Sequence, residues 1–249
     1  MSDRVVLCMK WGTLYPPEYV NVLASAVRAH LPGYYRFVCL TNEPEGLAEG
    51  IEIFPIPDIG LAHAHWYDGA WPKVAVLDHD LYGLRGRALF IDLDSVILGD
   101  LGDFFEVPGP LVAIDHGAWA GGPPSLMSSV FAFDLGRLGH VVDALRADRD
   151  AIVARHGIDQ VYLQAAVPDA AYWPAEWIVS FKRHLRRPLL VDRVLPPRHP
   201  PAGARFIAFH GRPRPIDLVR EGSWARFPRA GRGPVDWMRD YWLQHGGTA

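Results

Sequence analysis

Asp92 and Asp94 close an otherwise apolar run, "ALFIDLDSVILGDL" (88–101). Ala88 to Ile91 have the short, continuous, aromatic and branched pattern of a strand covered on both faces. Residues two apart on an extended chain point the same way, so the two carboxylates project together at the edge of the core. Like charges held there repel each other and lose hydration, so a positive neighbour is required. Mn²⁺ or Mg²⁺ suits such a pair. His210, at the end of another strand in "RFIAFHGRPRP", offers a third ligand, and a diphosphate would fill the remaining positions. Gly211 allows close backbone approach there, with Arg212 and Arg214 for phosphate oxygens. The plain alternative for His210 is a hydrogen-bonded histidine at a strand end.

The elements that must carry these residues follow from hydrophobic period. Strands are expected at 4–12, 35–41, 51–57, 88–91, 111–117, 128–136 and 205–211. Helices are expected at 16–31, at 69–81 after Pro72, through 137–157 with Gly157 as a stop, and in "VDWMRDYWLQHG" near the C-terminus. Alternating strands and helices predict an α/β fold with a Rossmann-like, mostly parallel sheet flanked by helices. Ligands of such sheets sit beyond the carboxyl ends of the strands, where Lys10, Asn42, Asp92, Asp94 and His210 fall. Cys8 and Cys39 each lie within an expected strand and read as buried free thiols of a reducing cytoplasm.

With 49% hydrophobic and 21% charged residues the chain reads as globular, without a membrane-crossing stretch or a signal-peptide layout. Residues 1–180 hold 11 Lys/Arg against 23 Asp/Glu, whereas 181–249 hold 14 against 5. That asymmetry predicts an anionic partner for the C-terminal part, although solvated surface arginines explain most of these positions. No motif argues for nucleic acid. Between 181 and 232 the arginines alternate with Phe181, Trp224 and Phe227, the pattern of a basic surface with aromatic anchors against an anionic membrane. Lys10, Lys73 and Lys182 stand against 22 arginines, marking places that call for a compact point charge.

Taken in order, "MKWG", "CLTNE", "FIDLDSVI", "SSVFAFD", "DQVYLQ" and "FHGRPRP" resemble the GT-A glycosyltransferases, in particular the retaining family 8 type, the glycogenin and lipopolysaccharide galactosyltransferase group. The resemblance implies one GT-A domain over 1–249, with a nucleotide-binding half to about residue 100 and an acceptor-binding half after it. It also implies a UDP-sugar donor, a glycan or lipid-linked acceptor, and transfer with retention. Asp92, Asp94 and His210 match its Mn²⁺ ligands, Asp92 also serving the nucleotide sugar. Asp159 and Gln160 match the pair beside the donor sugar, where Gln160 would stabilise the oxocarbenium face. Asp159 as a helix N-cap is the ordinary explanation. Lys10, Trp11, Gly12 and Tyr15 would line the nucleotide pocket, with Asn42 nearby; loop packing accounts equally for Trp11 and Tyr15. Lys73 matches a cation facing the nucleotide sugar. Arg214 takes the place of the phosphate-binding lysine, with Gly211 beside it. Lys182 would share that role or stand as a surface lysine. Two stretches depart from the family pattern: Met127-Ser128-Ser129 replaces Asn-Ser-Gly, and the late histidine motif is compressed, without its tryptophan.

Two other readings remain open on sequence. "FIDLDSVI" also resembles the haloacid-dehalogenase-type phosphatase motif, in which Asp92 would attack phosphorus. A catalytically inactive nucleotide- or sugar-binding protein would carry the same residues.

Overall fold

The computed structural model describes residues 3–225, 229 and 231–249. A seven-stranded sheet organises the chain. It comprises β1 (Arg4–Lys10), β2 (Arg36–Thr41), β3 (Glu52–Phe54), β4 (Arg87–Ile91), β6 (Leu111–Asp115), β7 (Leu126–Asp134) and β8 (Ala171–Tyr172), in the order β3-β2-β1-β4-β7-β6-β8. Pairings among β3, β2, β1 and β4 are parallel, as is β6 with β8. β7 runs antiparallel to both β4 and β6. This reversal brings the start of β7 to the edge where β4 ends.

Both faces of the sheet are covered, which is why its inner strands read as unbroken apolar runs. From β1, Val6 and Cys8 point into one core with α1 (Pro17–His30) and the C-terminal helix, whereas Val5, Leu7 and Met9 enter the other. Cys8 and Cys39 are register neighbours on β1 and β2, buried and unbridged, as expected. A smaller sheet joins β5 (Val96–Ile97), β10 (Phe206–Ala208) and β9 (Ile178–Ser180), and so ties the segment after Asp94 to the one bearing His210. The short α2 (Gly102–Glu106) follows β5.

The expected helix over 137–157 is instead two, α3 (Gly139–Ala147) and α4 (Arg149–His156). Asp148 breaks the period with φ −144° and ψ 50°, and its carbonyl accepts the Ile152 N–H. α3 buries Val141, Val142 and Leu145, whereas α4 has no fully buried residue to hold it in line. The expected helix at 69–81 is a tighter 3-10 stretch, Trp71–Leu77, with every residue buried; an α-helix with one apolar stripe would leave a face exposed. The chain then runs through α5 (Asp159–Ala166), α6 (Pro215–Val219), a short hairpin of β11 (Gly222–Ser223) with β12 (Arg232–Gly233), and α7 (Asp236–Gln244). α7 returns to α1: Trp242 meets Tyr19 edge-on at 4.9 Å and donates to Glu18 at 3.1 Å.

Phe181 and Trp224 are not exposed anchors. Phe181 is fully buried and Trp224 is 5% exposed, the two rings 5.8 Å apart in an edge contact, so both serve the core instead of anchoring to a membrane. Phe227 lies outside the described residues.

Candidate functional site

Asp92 follows directly on β4, its N–H donating to the Ser129 carbonyl of β7 at 2.8 Å. The positive neighbour that the paired carboxylates require is Lys73. Its ammonium lies 3.1 Å from Asp92 Oδ2 and 3.4 Å from Asp159 Oδ2, and it donates to the Ser128 carbonyl and hydroxyl at 3.2 and 3.1 Å. Ser128 Oγ in turn donates to Asp159 Oδ2 over 2.7 Å. Asp94 accepts from the Tyr15 hydroxyl at 2.8 Å.

Local chain geometry sets these positions. Lys73 rides on the buried 3-10 stretch, whose preceding residue Ala70 is held left-handed at φ 55°. The neighbouring Gly69 has φ +87°, and a Cβ there would stand 2.6 Å from the Gly157 carbonyl, so glycine is required. Its own carbonyl accepts the Asp159 N–H at 2.9 Å, which seats the start of α5 against the Lys73 segment. Asp159 is the first helical residue, not the N-cap, which is Ile158. Its side chain serves Ser128 and Lys73.

Electrostatically the site is short of positive charge. Burial pushes the Asp92 carboxyl up to about 7; Lys73 pulls it down, and Asp94 and Asp159 oppose that pull. Burial also raises Asp94, against the Tyr15 hydrogen bond and the Lys73 charge. For Lys73 burial alone would lower the pKa, but Asp159 and Asp92 outweigh it and hold the ammonium above its ordinary range. One buried ammonium among three carboxylates leaves room for a second, harder cation.

Of the three expected metal ligands, Asp92 and Asp94 stand together in this arrangement and His210 stands apart, so a divalent ion would start from the carboxylate pair. Among the described residues no three His, Cys, Asp or Glu side chains converge on a metal-sized site. His210 Nε2 lies 2.8 Å from Ser180 Oγ, and its ring stacks toward Trp119 at 6.5 Å. Burial, with Lys182 and Arg183 nearby, lowers its pKa to about 4, so the ring is neutral.

Over the carboxylates opens a cavity of about 240 Å³ lined by Trp11, Tyr15, Tyr67, Lys73, Asp92 and Asp94, among others. The sequence pointed to five of these six and missed Tyr67. The signal for it lay in "HAHWYDGAWPK" (63–73), an aromatic-rich segment punctuated by glycine just before Lys73. A neighbouring cavity of about 340 Å³ takes Lys10, Gly12 and the other side of Tyr15. Lys10 is paired there with Glu43 at 2.7 Å.

The remaining expected residues scatter more widely. Asn42 accepts the Ile56 N–H at 3.1 Å and braces the chain after β3, lining none of these cavities. Gln160 is half-buried, makes no side-chain hydrogen bond among the described residues, and lies outside the cavity lining. Arg214 donates to the Leu14 carbonyl at 3.0 Å, on the loop that walls the cavity, and pairs with Asp217 at 3.7 Å. Gly211 has φ +69°, and a Cβ there would come within 3.5 Å of Lys182 Nζ. Lys182 is half-buried; burial and Arg186 lower its pKa, with Asp94 pulling the other way.

A parallel sheet interrupted by one reversed strand, with an acidic pair at its carboxyl edge, defines the GT-A fold, and solved structures of that class superpose on the chain. The bifunctional glycosyltransferase WbbM, in its apo form, matches 99% of this chain at a TM-score of 0.60 and 12% identity, over 50% of its own length. Apo GlyE of Streptococcus pneumoniae TIGR4 matches 98% at 0.62 and 11% identity, over 61% of its own length. The chain thus spans about half of WbbM and three fifths of GlyE. The galactosyltransferase LgtC, solved with donor and acceptor sugar analogues, matches 99% at 0.56 and 12% identity, over 97% of its own length. No protein-family model matches the chain, nor does any curated protein sequence.

Proposed function

We propose that the protein is a metal-dependent glycosyltransferase that moves a sugar from a nucleotide sugar, a UDP-sugar, to a hydroxyl of a glycan or lipid-linked acceptor with retention. One observation carries this reading: an under-neutralised carboxylate pair, Asp92 and Asp94, floors an aromatic-walled cavity at the ligand-binding edge of a GT-A fold. Asp92 and Asp94 would hold Mn²⁺ or Mg²⁺, with His210 as third ligand on leaving Ser180. When bound, the cation offsets the charge of the donor diphosphate.

The chain's own groups do the rest. Lys73 fixes Asp92 and Asp159 in place, so the carboxylates are oriented before any ligand arrives. Trp11 and Tyr15 offer flat faces for a base, with Lys10, Gly12 and Asn42 in the loops beside them. Arg214 and Lys182, next to Gly211, are the cations available to phosphate oxygens. During transfer the bond from the sugar C1 to the acceptor oxygen forms and the bond from C1 to the diphosphate breaks. The acceptor proton passes to the departing diphosphate, and Gln160 stabilises the positive sugar face through its carbonyl. An active-site mutant of LgtC exchanges a glutamine for glutamate, in keeping with such a role.

We assign the nucleotide to the half up to about residue 100 and the acceptor to the remainder. Buried, unbridged Cys8 and Cys39 suit the cytoplasm, and the basic C-terminal part would face an anionic membrane. No helix among the described residues is long and apolar enough to cross one. The phosphatase alternative fits the fold poorly, because Asp92 follows the fourth strand, beside an antiparallel neighbour, instead of following the first.

Thermal shift with nucleoside diphosphates and Mn²⁺, followed by donor turnover with a glycan acceptor panel, tests the reading. Stabilisation by UDP with Mn²⁺, lost in Asp94→Ala, is the expected result. Nucleotide binding without any turnover would leave a binding protein, and release of inorganic phosphate from a phosphomonoester would favour the phosphatase.

A further inference from the structure

A second pocket, of about 360 Å³, shares no lining residue with the acidic cavity. Arg186, Arg212, Arg229, Trp224, Pro213 and Asp217 contribute to its wall. Asp217 is already engaged, accepting the Arg214 N–H at 2.9 Å and facing its guanidinium. The buried Asp192 lies 3.4 Å from Arg186 and 3.9 Å from Arg229, one carboxylate between two guanidinium groups. Arg212 is exposed and has no partner among the described residues.

The aromatic member supplies an independent sign. Trp224 is 5% exposed, and its indole N–H has no hydrogen-bond partner among the described residues. Buried donors are seldom left so. Two close neighbours hold the ring. The Arg186 guanidinium lies over it at 5.0 Å, and Gly231 packs so close that a Cβ would stand 1.8 Å from the indole. A donor held this firmly, beside the exposed Arg212 guanidinium and those of Arg186 and Arg229 around Asp192, is what an oxyanion accepts from.

We propose that this pocket is a second oxyanion site, taking a terminal phosphate carried by a small soluble ligand or by a lipid headgroup. The phosphate would accept from Arg212, from the free N–H groups of Arg186 and Arg229, and from the Trp224 indole. It would also relieve the repulsion between Arg186 and Arg229. Nothing in this depends on glycosyl transfer, and the two sites are separable. The pocket's Arg212 and Pro213 lie just before Arg214, which donates to the Leu14 carbonyl on the wall of the acidic cavity.

The test follows the Trp224 indole N–H by ¹⁵N–¹H correlation spectroscopy, its signal assigned by loss in Trp224→Phe. Inorganic phosphate, a hexose 6-phosphate, and phosphatidylcholine vesicles with or without phosphatidic acid are the probes. A downfield shift of that signal, with affinity about tenfold weaker in Arg212→Ala for one lost charge-assisted bond, is expected. Arg212 is exposed, so an unchanged melting temperature will show that the variant is folded. The shift should persist in Asp94→Asn, which removes an acidic ligand from the first cavity only. A response to the hexose phosphate alone identifies a soluble ligand, and a response to phosphatidic acid vesicles alone identifies a headgroup. An unmoved indole signal with every probe overturns the proposal. So does binding that Arg212→Ala leaves intact or that Asp94→Asn abolishes.

Discussion

Lys73 and Asp159 meet 3.4 Å apart, both nearly sealed from solvent, although one lies before β4 and the other opens α5. With Asp92 and Ser128 they form one closed network under the candidate donor cavity. Lys73→Met keeps the aliphatic length but strands two carboxylates. A loss of about 3–5 kcal/mol is expected in urea denaturation, the usual cost of removing one partner from a buried pair. Adding Asp159→Asn should return part of it. A single variant as stable as the wild type would mean that water reaches these carboxylates freely.

Asp92 sets a pH dependence of opposite sign to that of an ordinary surface carboxylate. Its pKa rises from 3.8 to about 7 in the fold, so the protonated form is the favoured one there. The stabilisation from this group is therefore complete below about pH 4 and lost as the pH climbs through about 7. In metal-free buffer the melting temperature should fall across that window more steeply in the wild type than in Asp92→Asn. Mn²⁺ should stabilise more at about pH 8 than at about pH 5, because a bound cation requires the ionised form. A profile identical in the two proteins would remove Asp92 from the account.

Tyr15→Phe deletes the hydroxyl that Asp94 accepts from at 2.8 Å. The expected cost is about 1–2 kcal/mol in stability, because a buried acceptor is left short of a partner. Mn²⁺ affinity should fall about tenfold, as when a partner orienting a metal ligand is lost. Calorimetric titration of Mn²⁺ measures the second effect directly.

His210→Ala separates its two candidate roles. As a metal ligand His210 should carry at least tenfold of the Mn²⁺–UDP affinity, the scale on which even indirect metal contacts act. As a partner of Ser180 alone it should alter only the melting temperature. We expect the first result, measured as the Kd for UDP at fixed Mn²⁺.

Gln160→Ala tests the chemistry apart from binding. The side chain lies outside the cavity wall and bonds to nothing among the described residues, so UDP affinity should hold while turnover drops by about 10² or more. Full turnover would leave the oxocarbenium without this carbonyl.

The sequence made the strand before Asp92 and Asp94 readable, because a sheet covered on both faces demands a continuous apolar run. It also posed the question of a compensating cation. It could not say which of Lys10, Lys73 and Lys182 supplies it, since that depends on β7 lying antiparallel beside β4, a pairing without local signature. The late motif was visible as a cluster of His210, Gly211 and Arg214, but the turn of His210 toward Ser180 comes from β9 lying against β10. Phe181 and Trp224 misled, because aromatic residues spaced among arginines look alike whether they face solvent or core. Asp148 carried the signal missed in 137–157: a residue type favoured at helix starts, followed by Arg149 and Asp150.

The reversed strand β7 also has a consequence in time. The network's hydrogen bonds span 19, 55 and 31 residues along the chain and its Lys73–Asp159 pair reaches further still, so no fragment ending before α5 can hold Lys73 among its acids. During synthesis Asp92 stays hydrated until Ser128 and Asp159 have both arrived, and contacts of such range are late to close. Metal affinity should therefore appear as one of the last properties acquired in refolding. Under mild denaturant it should fade ahead of the far-ultraviolet signal, making it a sensitive gauge of whether a preparation is correctly folded.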